Sequence, residues 1–172
     1  MSGFEDEMVR AERLTAITQR VGFALWQLQE LESSSAQCFV LIAQAKQGMG
    51  EKAGQELLDA ALSKTFGTTV QRLNKAGILP DALSARFADL LQERNWLVHR
   101  SRGGSRDAIH SDEAAMKLFA RLDQMASEAG SLLTEMGNLA EQHVLSMGIS
   151  PAEIEARAEA MLDQWHGGEN EI

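Results

Sequence analysis

The stretch Leu14–Ala45, "LTAITQRVGFALWQLQELESSSAQCFVLIAQA", decides the fold. Apolar side chains recur at Leu14, Ile17, Val21, Ala24, Leu28 and Leu31, then at Cys38, Ile42 and Ala45. Alternating steps of three and four put them on one stripe of an α-helix, the stripe by which a helix packs along another. A strand would alternate at every second residue, and that pattern is nearly absent from the chain. The serines Ser33, Ser34 and Ser35 compete for backbone hydrogen bonds and are expected to bend this helix. The "GMG" at Gly48–Gly50 is expected to end it.

Working outward, the same signals repeat. A shorter helix is predicted around Glu51–Lys64, and a brief one in "TFGTTVQRLNKAG" that stops at Gly77. The two prolines, Pro80 and Pro151, stand where helices should begin. Asp81 or Pro80 opens the next helix, which gives way to "SRGGSRD", a loop by composition. Ser111 caps a long helix whose apolar seam is Leu118, Leu122, Met125, Ala129, Leu132, Met136 and Leu139. Gly130 and Gly137 are candidate kink points in it. A last helix starts at Ser150 and Pro151. The expectation is an all-α protein: an antiparallel bundle of about five to six helices with long first and fifth members. Residues 1–149 form the bundle, and 150–172 add a terminal helix and acidic tail within the same domain.

Composition narrows the function. At 172 residues the chain can bury a real core but not two. It has no apolar run of 18 or more residues, so no transmembrane helix is expected. The acidic start, "MSGFEDEMVR", is unlike a signal peptide, and cytoplasm is the expected address. The single Cys38 excludes an internal disulfide and reads as a buried structural thiol. The eight methionines recur at helical spacing and read as core filler. A net charge of −9 argues against a protein that coats nucleic acid with a broad basic face.

Against that acidity, five arginines (Arg86, Arg94, Arg100, Arg102, Arg106) lie within one window that holds only Asp89 and Glu93 as acids. The carboxyl-terminal segment is the reverse, with Glu153, Glu155, Glu159, Asp163, Glu169 and Glu171 against Arg157. At the centre of the basic window lies "ERNWLVHRSR", Glu93–Arg102. On a helical projection Leu83, Phe87, Leu90, Leu91, Leu97 and Val98 share one face, and Arg94 falls in the middle of it. A charge there must find a partner, an interface or a cavity. Asn95 and His99, four residues apart, stack along one flank, and Arg102 continues that flank if the helix persists. The plain reading is that arginines at helix carboxyl ends offset the dipole, and that Arg94 pairs with a glutamate on a neighbouring helix.

The motif "RNWLVH" resembles the signature of HEPN domains (higher eukaryotes and prokaryotes nucleotide-binding): arginine, a polar residue, a short gap, then histidine. Arg94, Asn95 and His99 match those positions, late in a long bundle helix. The upstream "KTFGTTVQRL" is similar to a Gly-containing stretch of some members. The resemblance covers about Lys64–Arg102. It implies a metal-independent endoribonuclease, commonly a toxin or defence effector with a cognate antitoxin protein, working as a homodimer in which two motifs face each other.

With that implication, each residue has a chemical task. His99 takes the proton of an RNA 2′-hydroxyl as general base. Arg94 holds the scissile phosphate with its planar fork. Asn95 orients His99 or bonds a phosphate oxygen, and Arg100, Arg102 and Arg106 attract the RNA backbone. Ser101 stands where a toxin subgroup carries the tyrosine to which a partner nucleotidyltransferase adds nucleotides, and the chain contains no tyrosine. That mode of neutralisation is not expected. The alternative from another class is a non-catalytic helical dimer that regulates or scaffolds through protein contacts.

Other candidates carry less. His110, beside the glycine loop, is expected to cap the next helix, the alternative being to assist an RNA site, and His143 lies on a helix seam. His143 and His166 lack companions at metal-ligand spacing, so neither a metal nor a cofactor is expected. "GGSR", Gly103–Arg106, lacks the lysine of a phosphate loop.

Overall fold

The computed structural model describes the backbone of residues 3–167. Glu169 and Glu171 of the acidic tail, and the side chain of His166, lie outside the described residues. The fold is all-α, with no strand among the described residues. Its helices are α1 (Gly3–Phe39), α2 (Glu51–Leu62), α3 (Phe66–Lys75), α4 (Asp81–His99), the single turn α5 (Ser101–Gly104), α6 (Asp112–Ser146) and α7 (Pro151–Gly167). No helix among the described residues is long and apolar enough to cross a membrane. The chain divides into two compact units, Met1–Gly137 and Asn138–Ile172. Their division falls inside α6 and not at the Ser150 turn.

In the first unit the three-four stripe of α1 is the packed face. Ala24, Leu28, Leu31 and Cys38 are buried, while Leu14 near its start is half exposed. The serine triplet does not break the helix, which runs 37 residues without interruption. Ser33 accepts from Gln37 four residues on, leaving the backbone ladder intact. Ser35 is fully buried, and its hydroxyl has no hydrogen-bond partner among the described residues. The change of geometry comes later, as a π turn over Val40–Gln44 in which Ala45 N–H reaches Val40 O at 2.8 Å. The helix therefore ends before the "GMG". Gly48 and Gly50 instead supply positive φ (80° and 79°) to the turn that leads into α2. Ala36 and Val40 pack there against Ala61 and Leu57 of α2.

Thr65 caps α3 by accepting from Thr68 N–H, and Gly77 ends the segment at φ 68°. Phe66 of α3 meets Phe87 of α4 edge-on, ring centroids 6.0 Å apart, and both are buried. The seam of α6 is buried at Leu118, Leu122, Met125, Ala129, Leu132 and Met136. This helix passes through Gly130 and Gly137 without a break.

Cross-helix ion pairs give the directions. Arg13 pairs with Asp112 and Arg20 with Asp123, so α1 and α6 run parallel. Arg86 pairs with Glu128 and Glu93 with Arg121, so α4 runs antiparallel to α6. Arg20 also lies over the Phe119 ring, 4.3 Å from its centroid.

The second unit holds the last turns of α6 and the helix α7, joined at Gly148 (φ 87°). Ser150 and Glu153 form a reciprocal cap. Ser150 N–H donates to Glu153 Oε2 at 2.8 Å, and Glu153 N–H donates to Ser150 Oγ at 3.3 Å.

Candidate functional site

Helix α4 carries the motif because its apolar spacing anchors it. Leu83, Phe87, Leu90 and Leu97 are buried, and Leu91 is partly so. Val98, expected on the same face, is 47% exposed. It occupies the final turn of α4, and periodicity assigns a face without saying how far the neighbouring helices extend.

The segment after the motif departs from the expected loop. Arg100 leaves helical geometry (φ −128°), yet Ser101 restarts a helical turn, its hydroxyl donating to Leu97 O at 2.6 Å. A 3-10 turn over Arg106–Ile109 follows, and Ala108 within it is buried. Short-range backbone bonds and one buried methyl hold the glycine-rich stretch locally, while the Ser105 hydroxyl is buried without a hydrogen-bond partner among the described residues. Arg13 donates to Ile109 O at 3.1 Å and ties this segment to α1. Ser111, as expected, caps α6 by accepting from Ala114 N–H at 3.4 Å. His110 makes no such bond; its N–H closes the 3-10 turn onto Asp107 O, so the capping role expected of it belongs to Ser111 alone.

Arg94 has an inter-helix partner. Its Nη2 lies 4.0 Å from Glu32 Oε2 of α1, and both side chains are about a third exposed. That separation is an ion pair without a hydrogen bond. The centre of the apolar face therefore tolerates a charge because α1 supplies the opposite one beside it. Arg86 is held similarly, by Glu128 Oε1 at 2.7 Å and Ser131 Oγ at 2.8 Å.

On the other flank, Asn95, His99 and Arg100 border an open groove of about 710 Å³ between α4 and α6. Gln92, Glu93, Trp96 and Arg121 complete its lining. Among the described residues, the side chains of Asn95, His99, Arg100, Arg102 and Arg106 make no hydrogen bond or ion pair. All five are exposed. Of the five arginines in the basic window, two are thus engaged in the bundle; Arg100, Arg102 and Arg106 are open charge, and Arg100 shares the groove with His99. The structure brings Asn95, His99 and Arg100 to one groove and leaves Arg94 outside it. The reason is angular: five residues separate Arg94 from His99, about 140° around the helix.

Gln92, Trp96 and Arg121 of this lining were not singled out from sequence. Arg121 of α6 lies over the Trp96 ring, its Cζ 3.4 Å from the centroid. Its Nε and Nη2 donate to Glu93 Oε2 and Oε1 at 2.6 and 3.0 Å. Arg121 is 25 residues beyond Trp96, and no local periodicity could join them. Among the described residues no group of three or more His, Cys, Asp or Glu side chains is arranged to hold a metal ion.

Comparison with family models, with curated proteins and with solved structures returned no match.

Proposed function

We propose that this protein is an endoribonuclease of HEPN type that cleaves RNA without a metal, at a composite site formed by two copies of the chain. The observation that carries the reading is the open groove in which an exposed, unbonded imidazole, His99, sits beside Asn95 and Arg100. His99 removes the proton from a 2′-hydroxyl, whose oxygen bonds to phosphorus while the bond to the 5′-oxygen breaks. The products are a 2′,3′-cyclic phosphate and a 5′-hydroxyl that takes its proton from water. DNA lacks the attacking group. Asn95, one turn before His99, hydrogen-bonds a phosphate oxygen. Arg100, Arg102 and Arg106 draw in the strand.

Arg94 stabilises charge on the phosphate, and its position supports the dimer. On one helix it is too far around from His99 to meet the same phosphate. A composite site meets this by bringing the Arg94 of one protomer to the phosphate that the His99 of the other attacks, and a twofold interface would do so twice. Glu32 is then the residue Arg94 leaves when RNA binds. The cytoplasm, a toxin or defence role and an antitoxin partner belong to this reading.

A second reading, a non-catalytic scaffold or regulatory dimer, draws support from the Arg94–Glu32 pair, since a structural role accounts for that arginine. One experiment separates the two. His99→Ala and Arg94→Ala are each expected to lower RNA cleavage by about a hundredfold or more while circular dichroism stays unchanged. Cleavage should survive EDTA and vanish when the cut nucleotide is 2′-deoxy. A purified dimer that leaves varied RNAs intact makes the scaffold the better reading, and equal cleavage by wild type and His99→Ala ends the catalytic one.

A further inference from the structure

The groove beside His99 contains a flat, pre-positioned surface that the cleavage chemistry does not use. Arg121 stacks on Trp96 with its Cζ 3.4 Å from the ring centroid, close to contact distance for two planar groups. Glu93 grips the guanidinium edge through both carboxylate oxygens, which fixes the plane. The same grip answers the charge and takes the Nε/Nη2 edge of the guanidinium, two of its five N–H donors. Arg121 is therefore poorly suited to clamp phosphate and well suited to act as a plate. Its side chain is 39% exposed and Glu93 40%, so the assembly can be reached from the groove. Trp96 and His99 are three residues apart on α4, about 4.5 Å of rise, which places plate and imidazole within one nucleotide's length.

We propose that Trp96 and Arg121, braced by Glu93, form a stacking shelf for an unpaired nucleobase of RNA, and so select the nucleotide at or next to the bond that His99 attacks. This proposal rests on the ribonuclease reading of the groove. Stacking on aromatic and guanidinium planes tolerates every base because each has a π face. The shelf thus selects for an unpaired base over a stacked, paired one, and for the presence of a base over its identity. A duplex presents its base edges and not its faces, and cannot use the shelf.

The test compares two labelled oligoribonucleotides, both 2′-O-methylated so that neither is cut. One carries bases throughout, and the other is abasic at its central positions. By anisotropy, the wild-type protein should bind the base-bearing strand about tenfold or more tightly than the abasic one. Trp96→Leu should bring that margin below about threefold. Arg121→Lys keeps the charge and loses the plane; it should shrink the margin likewise, which covers the case in which Trp96→Leu fails to fold. Glu93→Gln should steepen the salt dependence of binding, because a freed Arg121 becomes a phosphate contact. Equal affinity for the two strands in the wild type, or a margin intact in both variants, overturns the shelf. If His99-dependent cleavage persists alongside that result, the shelf alone is lost. Failure to bind either strand takes down the shelf and the ribonuclease reading together.

Discussion

At residue scale, Arg94 shows how one side chain can satisfy two opposed readings. Its spacing in the motif suits a phosphate clamp, while its contact with Glu32 suits a bundle brace. The pair is loose and about a third exposed, so its coupling should be small. A double-mutant cycle of Arg94→Ala and Glu32→Ala on unfolding free energy should return less than about 1 kcal/mol. A coupling of several kcal/mol would show Arg94 to be committed to the bundle. Cys38 is the contrasting case, a group whose role burial alone decides. Removal from water pushes its thiol up to about 11 from an ordinary 9.0. The native protein should therefore resist a disulfide-exchange reagent at pH 8 and react fully once unfolded. The neutral buried thiol contributes to stability below pH 9. That contribution falls away as pH rises toward 11, since the unfolded chain ionises first.

At the scale of elements, termini are set by a handful of side chains. The Ser150–Glu153 cap illustrates this for α7. The Ser150 backbone N–H, and then its hydroxyl, hold the Glu153 carboxylate below the usual glutamate range. A lowered carboxylate pKa helps the helix start at neutral pH, and that help is lost as pH falls through the folded value. Ser150→Ala should raise the Glu153 pKa toward the ordinary glutamate range, as an NMR titration of its side-chain carbons would show. Amide exchange at 151–154 should quicken in the variant. Because the alanine keeps the backbone N–H, the larger cause, the rise should be partial; an unchanged titration would mean that the Ser150 hydroxyl does not hold the carboxylate in solution. The motif helix ends by a different device. Arg100 breaks the geometry, Ser101 bonds back to Leu97 O, and the next turn restarts. Arg102 therefore belongs to a separate turn and not to a continuous α4.

At the scale of the whole molecule, the proposed dimer can be probed at the exposed end of the motif helix. Leu97 is only 4% exposed, so Leu97→Asp would bury an unpaired charge and unfold the bundle. Its loss of activity would say nothing about a dimer. Val98, 47% exposed beside His99, is the better probe. Val98→Asp should yield a folded monomer by light scattering at micromolar concentration and abolish cleavage. A wild-type monomer under those conditions would remove the composite site. Net charge adds a second constraint. The chain is −9 overall, so on the proposed reading RNA would be drawn by the exposed Arg100, Arg102 and Arg106 against a repelling background. Arg102→Ala should weaken binding and flatten its salt dependence while sparing the rate of the bound complex.

What the sequence determined by itself was local and periodic. The stripe from Leu14, the seam from Leu118 to Met136, the caps at Ser111 and Ser150, and the stop at Gly77 all follow from interactions within about four residues. The all-α bundle was legible for that reason, as was the placement of Arg94 on an apolar face. The partners of those faces were not. Glu32 beside Arg94, Arg121 over Trp96 and Glu93 gripping Arg121 join residues that are tens of positions apart. Nothing within a helical turn can specify such a pairing. The parallel course of α1 and α6 and the exposure of Val98 are of the same kind. They depend on how far each neighbouring helix reaches, which only the packing of the chain on itself decides.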